Sequence, residues 1–135
     1  MDFDWMLGLT VTRIFENGPE NSTFELSNGR LSVEALWRVI NDGRVALTKR
    51  DHNQKFGLPE PVNAYADASE LLVGKQIVKV EFREESGDLL IHFEGGRRLD
   101  VVNDSSGYEP WQLYGPGIHL VAVGTGSIYD FSKKT

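Results

Sequence analysis

The chain has 135 residues, a formal net charge of −6 at pH 7 and no cysteine. With 40% hydrophobic residues it can bury a core as a single domain over residues 1–135, which excludes an intrinsically disordered chain. The lack of cysteine excludes disulfides and Cys-ligated zinc. The net acidity disfavours nucleic acid as a partner, because a negative surface repels phosphate backbones.

The first residues lack the features of a signal peptide. Asp2 and Asp4 stand where such a peptide would carry positive charge, and no window of the sequence approaches the length of a membrane span. We therefore expect a cytoplasmic protein with no membrane partner.

An internal repeat organises the rest of the chain. Each copy begins with an apolar residue and a glycine, continues with alternating strands and a tight turn, and then reaches a tryptophan. The matching pairs are residues 7–14 with 73–80, 24–29 with 91–96, 31–33 with 99–101, and 37–39 with 111–113. The sequence therefore predicts two units, at about 6–49 and 72–131, joined by a linker over 50–71.

Strict alternation of apolar and polar residues is typical of strands that bury one face. Asn28-Gly29 and Gly95-Gly96 are tight hairpin signals, since these residues accept positive φ. The pattern predicts a mainly β fold, in which two duplicated antiparallel β-meander units pack as a sandwich or barrel. The strands of one copy would cover those of the other, with Trp37 and Trp111 in the core.

The linker is predicted to contain one short helix. Pro59 and Pro61 keep residues 57–62 extended, because a residue before proline avoids helical geometry. Asp67 then offers an N-cap and Glu70 the answering side chain of a capping box, so a helix is expected over 68–73, ending at Gly74.

No residue pattern indicates catalysis, a cofactor or a metal site. His52, His92 and His119 do not have metal-ligand spacing and are expected to be exposed or hydrogen-bonded. Ser105 lies in a Ser-Ser-Gly stretch with no adjacent histidine base, so it is interpreted as part of a polar turn.

The second unit has extra residues before Trp111, at about 103–110, and Tyr108 and Glu109 among them have no counterpart in the first unit. This segment carries Asp104, Tyr108 and Glu109 among turn-forming residues. Tyrosine is a frequent anchor of protein interfaces, so these residues are candidates for contact with a partner. Glu84 and Glu85, in the predicted turn before Ser-Gly-Asp, are further acidic candidates.

Three stretches carry a family resemblance: residues 57–62 (GLPEPV), 87–89 (GDL) and 99–111 (LDVVNDSSGYEPW). They resemble a small family of uncharacterised bacterial proteins, over about the last two thirds of the chain. Members look similar to the cytoplasmic immunity proteins encoded beside polymorphic or contact-dependent growth-inhibition toxins. The resemblance implies a protein that binds and neutralises a cognate toxin domain without catalysis, and it implies no catalytic residue.

Two other functions stay open at this point. A small-ligand-binding or enzymatic β-barrel would need a polar cavity between the units, with His92 or His119 beside a carboxylate. A structural subunit of a larger assembly would instead pair exposed edge strands between chains.

Overall fold

A computed structural model describes residues 1–133, and strands dominate this range. The first half contains β1 (Val11–Glu16), β2 (Ser22–Leu26), β3 (Gly29–Val33), β4 (Leu36–Asn41) and β5 (Arg44–Thr48). Helix α1 (Ala64–Leu72) follows. The second half contains β6 (Ile77–Arg83), β7 (Asp88–Phe93), β8 (Arg97–Val102), β9 (Trp111–Gly115), β10 (Ile118–Ala122) and β11 (Ile128–Asp130). Short 3₁₀ helices lie at Asp4–Met6 and Lys49–Asp51.

The strands form two antiparallel sheets that pack together as a sandwich and do not close into a barrel. The six-stranded sheet has the order β1-β2-β3-β9-β10-β11, and the five-stranded sheet has the order β5-β4-β8-β7-β6. The predicted mainly β fold with one helix in the linker is therefore confirmed, and its form is the sandwich.

The sequence suggested that each unit would form one sheet, but in the structure both sheets contain strands of both units. Each unit contributes a three-stranded meander to one sheet and then crosses to the other, so β4 and β5 join the meander β6–β8, while β9, β10 and β11 join β1–β3. Alternation in a sequence defines which face of a strand is buried, but not which strand becomes its neighbour. Because the chain passes from one sheet to the other in each unit, the apolar residues of each unit pack against strands of both units.

Corresponding residues of the two units have corresponding partners. Val33 in β3 lies opposite Trp111 in β9, and Val101 in β8 lies opposite Trp37 in β4. The first strands of the units, β1 and β6, both carry an irregularity at the matching point of their pairing with β2 and β7. The two halves of the sandwich therefore follow one pattern of strand pairing.

Apolar side chains fill the space between the sheets. Trp37 and Trp111 are both fully buried, as expected, and Phe24, Leu31 and Leu113 pack in the same apolar cluster. Trp37 meets Phe24 edge to face, with ring centroids 5.2 Å apart. Burial of several large side chains in one contiguous cluster is the main source of stability of such a sandwich.

Helix α1 begins earlier than the sequence predicted. Its N-cap is Asn63 and not Asp67, and the Asn63 side chain accepts a hydrogen bond from the Ala66 amide at 3.1 Å. His52 Nδ1 accepts a hydrogen bond from the Ala64 amide, a second N–H at the start of the helix, at 3.1 Å. The predicted end near Gly74 agrees with the structure, in which Gly74 has a φ of 83° after the last helical turn.

The two open sides of the sandwich are covered by matching segments. Helix α1 packs beside β1 and β5, and the N-terminal 3₁₀ helix packs beside β6. Leu72 and Met6, which end these two helices, are both fully buried. No helix within residues 1–133 is both long enough and apolar enough to span a membrane.

Candidate partner-binding surface

Six loops lie together at one end of the sandwich. All neighbouring strands are antiparallel, so six segments reach the same side. They are the turns β1–β2, β6–β7 and β10–β11, the β3–β4 and β8–β9 crossovers between the sheets, and the end of β5. The Glu34 amide of the first crossover donates to the Pro110 carbonyl of the second at 3.0 Å, which joins the two crossovers. We call this side the loop end; it comprises residues 16–21, 34–35, 49–51, 84–87, 103–110 and 123–127.

Asn103 holds three of these loops in place. Its side-chain amide donates to the Ser86 carbonyl at 2.9 Å and to the Gly124 carbonyl at 2.7 Å. Its backbone amide donates to the Asp88 carboxylate at 2.8 Å. One residue at the end of β8 therefore couples the β6–β7 turn, the β8–β9 crossover and the β10–β11 turn.

Close backbone packing keeps the β8–β9 crossover in one shape. A Cβ at Gly124 would lie 2.5 Å from the Gly107 nitrogen and 2.7 Å from the Ser105 carbonyl oxygen, so only glycine fits there. Ser105 Oγ accepts from the amides of Gly107 and Tyr108 at 3.1 and 3.0 Å. The polar turn expected at Ser105 is confirmed, and its serine serves the backbone.

The structure brings the predicted contact residues to this end. Glu84 and Glu85 lie in the β6–β7 turn that Asn103 ties to the crossover. Tyr108, in that crossover, is 81% exposed, which is the largest exposure among the large apolar and aromatic side chains of residues 1–133. Glu109 is also exposed, and its carboxylate accepts from the Gln112 side chain at 3.3 Å.

The five predicted residues do not share a single pocket. Asp104 lines a shallow depression with Glu34 and Arg50, beside the first crossover. Glu84 lines a different one, which Thr125 also borders, at the edge covered by the N-terminal segment. The predicted residues are therefore spread over the loop end and do not converge on one depression.

The loop end also collects acidic residues that the sequence reasoning missed. Its carboxylates are Glu16, Glu20, Glu34, Asp51, Glu84, Glu85, Asp104 and Glu109, and its basic residues are Lys49 and Arg50. Eight negative and two positive side chains give this end a formal charge of −6, which equals that of the whole chain. Only the antiparallel topology brings Glu20 and Glu34 beside the second unit's loops.

The three histidines lie away from one another. His92 Nε2 lies 2.7 Å from Glu81 Oε1 on the outer face of the five-stranded sheet. Hydrogen bonds from Lys79 first, and then from His92, hold the pKa of Glu81 below its usual value. His119 stacks on Tyr114 on the outer face of the other sheet, with ring centroids 4.4 Å apart.

Neither histidine that was considered for a cavity between the units faces that space. Both are partly exposed on outer sheet faces, and the space between the sheets is apolar. Within residues 1–133, no three or more His, Cys, Asp or Glu side chains are grouped to hold a metal ion.

Comparison with curated proteins and with solved structures finds no match. A family model does match, over residues 24–128, which is more than half of the chain and includes most of the loop end. The chain therefore belongs to the family described as "Family of unknown function (DUF6188)".

Proposed function

We propose that this protein is a cytoplasmic immunity protein, which binds a cognate toxin domain at the loop end and neutralises it without catalysis. The observation that carries the proposal is the formal charge of −6 at the loop end, which equals the net charge of the chain, around the exposed Tyr108. The partner would be a basic protein surface, such as the active site of a toxin that acts on nucleic acid.

The electrostatics of the loop end favour fast capture of such a partner. Charge concentrated on one side of a protein steers an oppositely charged surface and raises the association rate. A toxin must be captured before it acts, so a fast association is the property that an inhibitor of this kind needs. The basic residues Lys49 and Arg50 lie at one flank only and do not cancel the field of the other loops.

The rigidity of the loop end supports tight binding. Asn103 and Gly124 hold the loops in place before any partner arrives, so little conformational entropy would be lost on binding. Tyr108 offers a large amphipathic side chain with few rotatable bonds, which is the type of residue that dominates binding energy at protein interfaces.

The test is co-expression with the C-terminal domain encoded by the adjacent gene. The protein should restore growth of cells that make this domain, and the purified pair should form a complex whose association rate falls steeply with salt. An Asp104→Lys, Glu109→Lys double variant should associate at least about tenfold more slowly, because it reverses the charge of two exposed carboxylates in the β8–β9 crossover.

The matched control is the Glu60→Lys, Glu70→Lys double variant, which changes the net charge equally at exposed positions outside the loop end. It should associate with the domain at nearly the unmodified rate. Equal loss in both double variants would show that only net charge matters and would exclude the loop end as the binding surface. No complex and no growth rescue would remove the immunity function itself.

A further inference from the structure

A buried carboxylate lies on the outer face of the five-stranded sheet. Asp100 in β8 is 3% exposed, although its strand neighbours on that face are partly accessible to solvent. Arg38 Nε donates to its Oδ2 at 2.9 Å, while Arg98 Nε and Nη2 donate to Oδ1 and Oδ2 at 2.5 and 2.9 Å. One carboxylate thus accepts hydrogen bonds from two guanidinium groups.

The carboxylate is held in its charged form. Burial alone would raise the pKa of Asp100, but the hydrogen bonds from Arg98 and Arg38 outweigh it and lower the pKa. The same contact raises the pKa of Arg98. The three groups therefore remain an ionic cluster with a net charge of one positive unit.

The fold itself does not require this cluster. In the other sheet, Ser32 and Gln112 form the cross-strand pair that corresponds to Asp100 and Arg38. Those two positions carry neutral side chains in an equally well-paired sheet. Buried ion pairs contribute little net stability, because desolvation offsets their attraction. The ionic cluster is better explained by what it positions than by what it stabilises.

The cluster positions free hydrogen-bond donors. Both Nη atoms of Arg38 and the Nη1 atom of Arg98 make no hydrogen bond within residues 1–133, and these side chains are 42% and 32% exposed. Arg83 borders the same depression and makes no ion pair or side-chain hydrogen bond with the described residues. Three guanidinium groups thus face one small depression.

The depression has the size of a small ion. Its volume is about 80 Å³, the room of two or three water molecules, with Leu90 among the residues that line it. Asp88 also lines it, but the Asn103 amide binds one of its carboxylate oxygens. The lining carries three guanidinium groups against two carboxylates, so a small anion is favoured there even though the chain as a whole is acidic.

We propose that Arg38, Arg83 and Arg98 form a binding site for a small tetrahedral oxyanion of the phosphate or sulfate class. Donors from three guanidinium groups suit a doubly charged tetrahedral anion better than a carboxylate, which presents only two oxygens. The ion could be free phosphate or the phosphoryl group of a monoester. The site lies on the outer face of the sheet and borders the loop end at Arg83 and Asp88, but its argument does not rest on the proposed immunity function.

The test is an NMR titration of the full chain with inorganic phosphate at constant ionic strength. Saturable shifts are expected in the side-chain Nε–Hε signals of Arg38 and Arg98 and in the amides of β8, with a dissociation constant of about 1 mM. Glycerol 3-phosphate in a parallel titration distinguishes the sources: tighter binding than inorganic phosphate assigns a monoester, and weaker binding assigns the free ion.

Arg83→Gln should weaken phosphate about tenfold, because it removes a charged donor that the fold does not use. Arg30→Gln is the matched control, since Arg30 corresponds to Arg98 on the other sheet and stacks on Tyr114. It should leave phosphate affinity unchanged. Linear, unsaturated shifts, acetate binding as tight as phosphate, or equal effects of the two variants would overturn the proposal.

Discussion

Trp37 and Trp111 occupy corresponding positions in the two halves of the sandwich, yet their indole N–H groups bind different kinds of acceptor. Trp37 donates to Ser22 Oγ at 2.8 Å, and Ser22 is itself hydrogen-bonded to the Tyr65 hydroxyl of α1 at 2.8 Å. Trp111 donates to the Gly87 carbonyl at 3.1 Å, in the turn that carries Glu84 and Glu85. One indole therefore ties the core to the helix, and the other ties it to the loop end.

Replacement of Trp111 by Phe should loosen the loop end. The change removes buried volume and leaves the Gly87 carbonyl without its donor, at a cost of about 2 kcal/mol in the free energy of unfolding. Amide exchange in residues 84–87 should accelerate, as measured by hydrogen exchange. Trp37→Phe is the comparison: it should lose similar stability but accelerate exchange in α1. Identical exchange patterns would contradict separate roles for the two indoles.

Gly124→Ala should displace the β8–β9 crossover. The new Cβ would overlap the backbone of residues 105–107, so the free energy of unfolding should fall by about 2 kcal/mol. Denaturant unfolding measures the loss, and amide chemical shifts report whether the crossover moves. Gly107→Ala, where a Cβ meets no atom within 4 Å, is the matched control and should be nearly neutral. A neutral Gly124→Ala variant would mean that the crossover is loosely packed in solution.

Asp100→Asn should destabilise the protein in a pH-dependent way. The pKa of Asp100 is lowered on folding from its ordinary value of 3.8, because the hydrogen bonds from Arg98 and Arg38 outweigh burial, the largest single effect. Its contribution to stability is therefore present above that value and is lost as the pH falls through the lowered one.

Urea unfolding should show a deficit of about 1 to 2 kcal/mol for Asp100→Asn at neutral pH, because the two arginines left unpaired are partly exposed to solvent, and a shrinking deficit below about pH 4. Asp67→Asn, on the exposed surface of α1, should show no deficit of that size at neutral pH. A deficit for Asp100→Asn that stays constant down to strongly acidic pH would contradict a charged carboxylate at this position.

Phe56→Asn should stabilise the chain. Phe56 has a φ of 48° and is 68% exposed, so it combines a left-handed backbone with an apolar side chain in solvent. Asparagine tolerates this backbone better, and the free energy of unfolding should rise by about 1 kcal/mol. Leu58→Asn, in the same loop without positive φ, should change stability little. Destabilisation by Phe56→Asn would show that the phenyl ring packs against the protein in solution.

Local patterns in the sequence were sufficient to predict several structural features. The hairpins at Asn28-Gly29 and Gly95-Gly96 follow from residues that accept positive φ, and the burial of Trp37 follows from its place in an alternating strand. Each of these features depends on neighbours a few residues away, so the sequence contains the information directly. The helix boundary was predicted less well, because Asn63 and Asp67 are both acceptable N-caps and tertiary contacts of Tyr65 select the earlier one.

The exchange of strands between the sheets was decided only in three dimensions, and the candidate sites depend on it. Alternation is the same whether β4 pairs with β8 or with β3, so no local signal places Arg38 beside Asp100 or Glu34 beside Pro110. The sequence by itself determined a mainly β chain of two similar units and which of its residues carry charge. Which of those residues meet was settled by packing, because burying both units' apolar faces together requires long-range pairings.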